Sequence, residues 1–221
     1  MKLRLTIGIL AASILFAACG RFLVVKDKFD GAKKVALVQY AINPHFLLGY
    51  PNADAAKTLT AQANIDAFQK QMGNVFQVVP VGDMTANAAY TGAGKDKVDG
   101  WYSAKGMRFI DEEKLNNGEL TPDAAKKLCA DLGVDAVVTI TDSWGQAGGG
   151  FFKGIAQNYY FINEYDKDGN VVWQDMAQGR SNETFGVPPG GAIVSDDDNW
   201  KKVQSEAFAD ALGQFKGRLG K

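Results

Sequence analysis

The sequence predicts an α/β fold: a single domain with a mixed β-sheet of about five strands packed by about three helices. Two observations carry this prediction. Residues 33–81 follow the order strand, helix, strand, which is typical of a right-handed βαβ unit with parallel strands. Residues 121–177 follow the order helix, strand and then two long strands joined by a short turn, which indicates a hairpin added to the same sheet.

The βαβ unit begins with the apolar, β-rich run at 33–40 (KKVALVQY), which has the composition of a buried strand. A helix is predicted over 53–72, because its apolar residues recur at helical spacing on one face. These residues are Ala61, Ile65, Phe68 and Met72. A second strand is predicted over 75–81 (VFQVVPV).

The second half begins with a helix whose two ends are marked in the sequence. Thr121 is a favoured N-cap, Pro122 suits the first helical position, and Gly133 suits the C-cap. Cys129 falls on the predicted apolar face and is interpreted as a small core residue. The run at 135–140 (DAVVTI) is apolar on both sides of the chain and therefore predicts a central strand.

The remaining elements are a hairpin and a C-terminal helix. Strands at 155–165 and 171–177 are predicted to pair across a short turn, and a helix is predicted over 200–219. Two segments, 82–119 and 179–198, show no regular period and are predicted to be irregular, with part of the first packed on the domain.

The N-terminus has the pattern of a bacterial lipoprotein signal peptide over residues 1–18. Lys2 and Arg4 precede an apolar run that ends in two alanines, and Cys19 follows directly. The run of fourteen apolar residues would span roughly 21 Å as a helix, short of the ~30 Å hydrocarbon core. We expect cleavage before Cys19 and acylation of that residue. An ordinary cleaved signal peptide, with Cys19 incidental, is the alternative.

The organisation that follows is a lipidated tether at 19–32 and one domain at 33–221. Gly20, in place of an aspartate after the cysteine, favours the outer over the inner membrane. We therefore expect a lipid-anchored protein of the outer membrane that faces the periplasm.

Composition limits the function classes. The chain has 24 basic and 25 acidic residues, so no basic surface points to nucleic acid as a partner. His45 is the single histidine, which argues against multi-histidine metal sites and histidine-dependent triads. No cofactor and no metal are predicted. The sequence of the turn Asp166-Lys167-Asp168-Gly169-Asn170 lacks the further oxygen ligands of an EF-hand loop.

One glycine-rich loop is a candidate contact site. Phe151 and Phe152 follow Gly148-Gly149-Gly150, and paired exposed phenylalanines are unfavourable unless something covers them. The functional interpretation is a loop tip that docks on a partner or on the membrane interface. The alternative is a flexible connection between strands.

The strand, helix and hairpin order resembles that of periplasmic lipoproteins with the fold of the TolB amino-terminal domain. This group includes the curli-secretion lipoprotein and the lipoprotein activator of a penicillin-binding protein. The resemblance rests on the segments 34–38 (KVALV), 132–139 (LGVDAVVT) and 165–173 (YDKDGNVVW). The resemblance implies a non-enzymatic adaptor, ring-forming subunit or regulator of an envelope assembly, with no shared active site.

We therefore predict a protein-interaction or accessory component of a cell-envelope system, anchored through acyl chains on Cys19. Its contact surface would be the free edge of the sheet or the loop at 144–154, and self-association stays open. A binding module for a small molecule or polysaccharide is the first alternative, with a groove lined by Trp101, Tyr102, Trp144, Tyr159 and Tyr160. A hydrolase that uses the acidic runs 111–113 and 196–198 is the second.

Overall fold

The structure is a computed structural model that describes residues 22–44, 53–148, 153–186 and 197–221. Within these ranges the strands are β1 Leu23–Val24, β2 Lys34–Asn43, β3 Gln77–Val78, β4 Tyr102–Ser103, β5 Ala136–Ser143, β6 Gln146–Gly148, β7 Lys153–Asp166 and β8 Val171–Gly186. The α-helices are α1 Lys26–Gly31, α2 Ala53–Met72, α3 Val81–Ala86, α4 Ala88–Thr91, α5 Pro122–Leu132 and α6 Asp197–Leu219, and a 3-10 helix covers Glu112–Asn117.

The strands form one mixed sheet in the order β1-β8-β7-β5-β2-β3, with β4 paired to β2 and β6 paired to β7. Strand β2 is parallel to β3 and β5, and the other pairs are antiparallel. The predicted α/β fold with a parallel βαβ unit and a central β5 is confirmed. The count of about five strands is too low, because it omits the short strands β1, β4 and β6.

The first face of the sheet is covered by the two long helices. The apolar side chains predicted for α2 are all buried, and those of α6 form its contact with the sheet. Phe208 of α6 packs between Tyr40 of β2 and Tyr160 of β7, with ring centroids 5.9 and 5.1 Å away. These contacts join one strand from each half of the predicted topology into a single core.

The second face is covered by the segment predicted to be irregular, 82–119, and by α5. Phe109 and Leu115 of that segment are buried against Ala41 of β2. Tyr90, also buried, donates a hydrogen bond of 2.6 Å to the carbonyl of Val38. The segment carries α3, α4, β4 and the 3-10 helix, so the prediction of about three helices is also too low.

Helix α5 has the predicted ends. The Thr121 side chain accepts a hydrogen bond from the backbone N–H of Ala124. Gly133 ends the helix in the left-handed conformation, with φ of 61°, which glycine adopts without strain. Cys129 is buried on the inner face of α5, as predicted.

The residues predicted as a tether are partly folded onto the domain. Leu23 and Val24 pair with Gln174 and Trp173 of β8. In α1, Phe29 is 3% exposed, and its ring lies 5.6 Å from that of Trp173. The folded region therefore begins near residue 23 rather than 33, and only the first residues of 19–32 precede it. The sequence does not predict this pairing, because a two-residue strand is defined only by its partner.

Strand β8 is longer than predicted. It continues to Gly186, so the first eight residues of the segment 179–198 are strand rather than irregular. Its outer half pairs with the start of β7, where Lys153 lies opposite Gly186. Residues 187–196 lie outside the described ranges.

Gly179 of β8 is the point of closest approach between the sheet and α6. A Cβ at this position would lie 1.9 Å from the Ala207 carbonyl oxygen and 2.8 Å from its carbon. Gly179→Ala is expected to lower the free energy of unfolding by about 2 kcal/mol through overpacking, measured by urea denaturation. Gly213→Ala on α6 is the control, because its Cβ meets open space and should stabilise the helix by about 0.5–1 kcal/mol. Equal stability of the two variants would contradict the prediction.

Candidate interaction site

The predicted site residues fall outside the described ranges. Cys19 lies three residues before Phe22, where the description begins. Phe151 and Phe152 lie in 149–152, which connects β6 to β7. The structure does describe the residues that flank these segments: Phe22 after Cys19, and Gly148 and Lys153 on either side of 149–152.

These flanking residues lie at opposite ends of the sheet. The chain enters at Leu23, opposite Gln174 and close to the turn between β7 and β8. We name this the anchor end. Ser143, the last residue of β5, lies opposite Tyr159, and beyond it β6 and β7 form a hairpin. We name this the distal end.

The distal end collects three chain segments. Strand β2 ends there with Asn43 opposite Ser143, and 45–52 follows shortly after. The β6–β7 hairpin carries 149–152, and β8 ends there before 187–196. Gly148 and Lys153, the described residues that flank the predicted phenylalanine pair in sequence, therefore lie at the distal end of the sheet, remote from the chain entry.

An aromatic cluster supports the base of this end. Trp144, which follows β5, lies 5.4 Å from Trp200 of α6, and Phe185 of β8 lies 5.1 Å from the same ring. All three residues are buried. Gly154 lets β7 approach Phe185, because a Cβ there would lie 2.8 Å from the ring. The hairpin is thus built on a packed base.

A buried carboxyl group lies beneath the aromatic cluster. Asp142, at the end of β5, has no exposed surface. It accepts hydrogen bonds of 3.0 Å from the Tyr40 hydroxyl and from the Trp144 indole N–H, and one of 3.2 Å from the Asn158 amide. Burial raises the pKa of Asp142 to about 7, and the three donors oppose that rise.

Asn158 connects this carboxyl to the surrounding elements. Its amide nitrogen also donates to the Tyr160 hydroxyl at 2.9 Å and to the Gln204 side chain of α6 at 2.5 Å. Its oxygen accepts from the backbone N–H of Gly145 at 3.2 Å. The Tyr40 hydroxyl accepts from Asn64 of α2 at 2.8 Å. The network joins three strands, two helices and the hairpin base, and its full burial indicates a structural role.

The sheet edge at β8, by contrast, is closed by acidic side chains of α6. Glu206 accepts hydrogen bonds from the backbone N–H groups of Asn182 and Glu183, at 3.0 and 2.9 Å. Asp210 accepts from the backbone N–H of Arg180 at 3.0 Å. These N–H groups would otherwise be available to an added strand.

Side chains of α6 also donate hydrogen bonds to backbone carbonyl groups along the same edge of β8. Gln214 donates to the carbonyl of Gln178 at 2.8 Å, and Arg218 donates to the carbonyl of Met176 at 3.1 Å. Residues 206, 210, 214 and 218 recur every four positions and so form one stripe along α6. The hypothesis that a free sheet edge serves as the contact surface is therefore wrong for β8.

The aromatic residues suggested for a ligand groove do not line one surface. Trp144 and Tyr160 are buried in the core, whereas Tyr159 is 43% exposed and is adjacent to Tyr160 on a strand, so it lies on the opposite face. Trp101 packs with Ala41, Phe109 and Leu115 on the second face, whereas the Tyr102 hydroxyl lies 2.6 Å from that of Thr58 on α2. No specific contact here favours a small-molecule or polysaccharide site.

Among the described residues, the acidic runs and the cavity at the anchor end give no catalytic arrangement. Asp111-Glu112-Glu113 lies at the start of the 3-10 helix, and Asp196 is outside the described ranges. A cavity of about 220 Å³ lies at the anchor end. Asp135, which lines this cavity, accepts hydrogen bonds from the backbone N–H groups of Lys33 and Lys34, at 3.0 and 2.9 Å. Its carboxylate therefore has a structural role. Within the described part of the chain, no cluster of His, Cys, Asp or Glu residues has the arrangement of a metal site.

Sequence reasoning missed Asp142, Asn158 and Glu164. Asn158 and Glu164 lie in the strand predicted over 155–165, where their polar side chains interrupt an apolar and aromatic pattern, and this interruption was the available signal. Asp142 lies two residues beyond the strand predicted over 135–140, which the structure extends to Ser143. Nothing local in the sequence indicates that Asp142 and Asn158 meet, since sixteen residues separate them.

No family model matches this chain, and no curated protein matches it in sequence. Solved structures do match it. The lipoprotein GNA1162 from Neisseria meningitidis is 13% identical, with 84% of this chain and 99% of that chain covered at a TM-score of 0.42. The C-terminal domain of LpoB from Salmonella enterica is 12% identical, with 66% and 82% covered at 0.32.

A third matched structure is the hypothetical protein CT253 from Chlamydia trachomatis. It is 9% identical, with 85% of this chain and 98% of that chain covered at a TM-score of 0.38. The structural neighbours thus include bacterial lipoproteins, in agreement with the resemblance seen in the sequence. At these TM-scores the matches carry no functional argument. Among the described residues, none of the helices combines the length and the apolar character that a membrane span requires.

Proposed function

We propose that this protein is a non-enzymatic, lipid-anchored component of a cell-envelope assembly. Acyl chains on Cys19 hold it to the outer membrane on the periplasmic side, and residues at the distal end, including Phe151 and Phe152, contact a protein partner. The observation that supports the proposal is that Leu23, at the chain entry, and the facing ends of β6 and β7, at Gly148 and Lys153, lie at opposite ends of one sheet.

The dimensions of β8 support this arrangement. From Gln174, opposite Leu23, to Gly186, opposite Lys153, the strand runs for thirteen residues, or twelve residue-to-residue steps. At ~3.4 Å per residue this is about 40 Å. An anchor at one end would therefore present the other end about 40 Å into the periplasm, beyond the layer occupied by lipid headgroups.

Two features favour contact at the distal end over contact at the β8 edge. The aromatic cluster of Trp144, Phe185 and Trp200 gives the hairpin a packed base, which limits the loss of conformational entropy when the hairpin binds. The β8 edge has its backbone groups satisfied by α6. A partner that recognises the hairpin tip through two phenylalanines would bury the apolar surface that drives such contacts.

Anchoring is tested by growing cells with radiolabelled palmitate. The wild-type protein is expected to incorporate label and to fractionate with the outer membrane. Cys19→Ala should lose the label completely, whereas Cys129→Ala should retain it, because Cys129 is buried in α5. Label on the Cys19→Ala variant, or its unchanged fractionation, would contradict the assignment.

The contact surface is tested by photo-crosslinking in the envelope of living cells. A photoreactive amino acid at position 151 is expected to trap an envelope protein, while one at Lys167, exposed at the anchor end, should not. A crosslink to a second copy of this chain would identify self-association instead. Equal crosslinking from the two positions would contradict recognition through the distal end.

A further inference from the structure

We propose that Phe22, Leu23 and Val25 form a membrane-docking patch that seats the anchor end of the domain on the bilayer holding the acylated Cys19. The inference rests on the proposed lipidation and adds to it a fixed orientation of the domain. The occupant of the patch would be lipid, in the interfacial layer between headgroups and acyl chains.

The first observation is exposure. Five large hydrophobic side chains of the described residues are exposed, and three of them are neighbours in this patch: Phe22 at 47%, Leu23 at 44% and Val25 at 37%. The other two, Leu59 and Tyr159, lie on α2 and β7. Apolar side chains clustered on a surface mark interaction sites, whereas isolated ones are ordinary.

The second observation is that the patch is held in place. Leu23 and Val24 pair with β8, and the backbone N–H of Val25 donates to the carbonyl of Val172 at 2.8 Å. Val25 directly follows β1, and its hydrogen bond continues the pairing, so Leu23 and Val25 lie on the side opposite Val24. Val24, between them, packs on the core. The domain thus turns Val24 inward and presents Leu23 and Val25 outward, and Phe22 is exposed just before the pairing begins.

The third observation identifies the occupant. Only residues 20 and 21 separate Cys19 from Phe22, so the three Cα–Cα steps span at most roughly 10 Å. With Cys19 acylated, Phe22 is confined to the lipid surface. A partner protein would have to compete with the bilayer for this patch, because the acylated Cys19 holds the patch close to the lipid surface. The length of the connection therefore favours lipid.

Three lysines near the patch are paired with acidic side chains within the described part of the chain. Lys26 pairs with Asp30 at 2.7 Å, Lys28 with Asp166 at 2.5 Å, and Lys221 with Asp30 at 3.3 Å. Basic residues held by acidic partners contribute little attraction to anionic lipids. Docking is therefore apolar in origin, and it should change little with ionic strength, unlike electrostatic attachment.

The test uses the full lipidated protein reconstituted in vesicles of phosphatidylethanolamine and phosphatidylglycerol. A nitroxide is attached at Lys26→Cys, beside the patch, and in a second sample at Lys202→Cys on α6. Cys129 is buried, with a thiol pKa raised to about 12 by that burial, so it does not compete for the label. The measurement is the relative collision rate of the nitroxide with lipid-soluble oxygen and with a water-soluble nickel complex.

The label at position 26 is expected to show a several-fold higher ratio of oxygen to nickel collisions than the label at 202, at both low and high salt. Changing Phe22→Ser, Leu23→Thr and Val25→Thr together should bring position 26 to the value at 202. Leu59→Ser, an exposed residue of α2, is the matched control and should leave both values unchanged. Circular dichroism would verify that each variant is folded.

The outcomes separate the two proposals. Absence of palmitate on Cys19 would overturn the lipid anchor itself. Palmitate on Cys19, together with equal water exposure at positions 26 and 202, would overturn the docking patch and leave the anchor standing. Spin–spin broadening between labels at position 26 would show that a second copy covers the patch, which also overturns docking to lipid.

Discussion

Asp142→Ala is expected to lower the free energy of unfolding by about 3–5 kcal/mol at pH 4. The Tyr40 hydroxyl and the Trp144 indole N–H both donate to this carboxyl inside the core. Removing their acceptor leaves two buried donors unsatisfied, each at a cost of about 1–3 kcal/mol. Urea denaturation, followed by tryptophan fluorescence, measures the difference.

The destabilisation by Asp142→Ala should shrink as the pH rises. Burial raises the pKa of Asp142 from 3.8 to about 7, so the folded wild type binds a proton that the unfolded chain releases. The contribution of Asp142 to wild-type stability therefore falls between pH 4 and 7, by about 4 kcal/mol at ~1.4 kcal/mol per pH unit. The alanine variant has no such proton, and near pH 8 the two proteins should approach equal stability.

Asp142→Asn is the matched control, since the amide keeps the shape and one acceptor oxygen. It should cost about 1 kcal/mol at pH 4. An alanine variant that is no less stable than the asparagine variant at that pH would show that the Tyr40 and Trp144 donors find other partners. A destabilisation independent of pH would show that Asp142 titrates as an ordinary carboxyl.

Glu164→Gln is expected to be nearly neutral at pH 4 and stabilising by about 4 kcal/mol at pH 8. Glu164 lies on β7, with Val138 opposite on β5 and Trp173 opposite on β8. It has no exposed surface, and neither carboxylate oxygen has a hydrogen-bond partner among the described residues. Burial therefore raises its pKa from 4.5 to about 8.

The direction of this effect follows from proton binding. Between pH 4.5 and 8 the folded wild type holds a proton on Glu164, whereas the unfolded chain does not, so wild-type stability falls as the pH rises through that window. Glutamine is neutral throughout. The difference between the two proteins should therefore grow steadily with pH, and a series of thermal or urea unfolding curves from pH 4 to 8 measures it.

Glu183→Gln is the control for Glu164→Gln, because Glu183 is a half-exposed residue whose partner is Lys202 at the surface. It should change stability by less than about 1 kcal/mol at any pH in this range. If Glu164→Gln behaved in the same way, Glu164 would have to be hydrated or paired in solution. A loss of stability at pH 8 would likewise contradict the prediction.

The elements that the sequence predicts well carry their own signals. Helix α2 begins and ends where its apolar period predicts, at Ala53 and Met72. Helix α5 is delimited by Thr121 and Gly133, whose side chain and left-handed backbone satisfy the helix ends locally. The predicted parallel pairing of the two strands in the βαβ unit is confirmed. This arrangement can be predicted because it follows from the order of elements along the chain, without knowledge of distant contacts.

Other elements exist only through distant partners. Strand β1 is two residues long and is defined by its pairing with β8, about 150 residues later. The segment 82–119 lacks a period because its residues fill gaps on the second face of the sheet, as Phe109 does against Ala41. The outer half of β8 becomes strand because β7 pairs with it.

The sequence by itself determined the α/β class, the order of the main elements, and the expectation of a lipid anchor at Cys19. Each of these follows from short-range patterns: hydrophobic period, helix caps and the signal-peptide layout. Tertiary structure alone decided that the anchor end and the distal end are opposed, that α6 closes the β8 edge, and that Asp142 and Glu164 are buried. These properties depend on which distant residues meet, and no local pattern of residues specifies that.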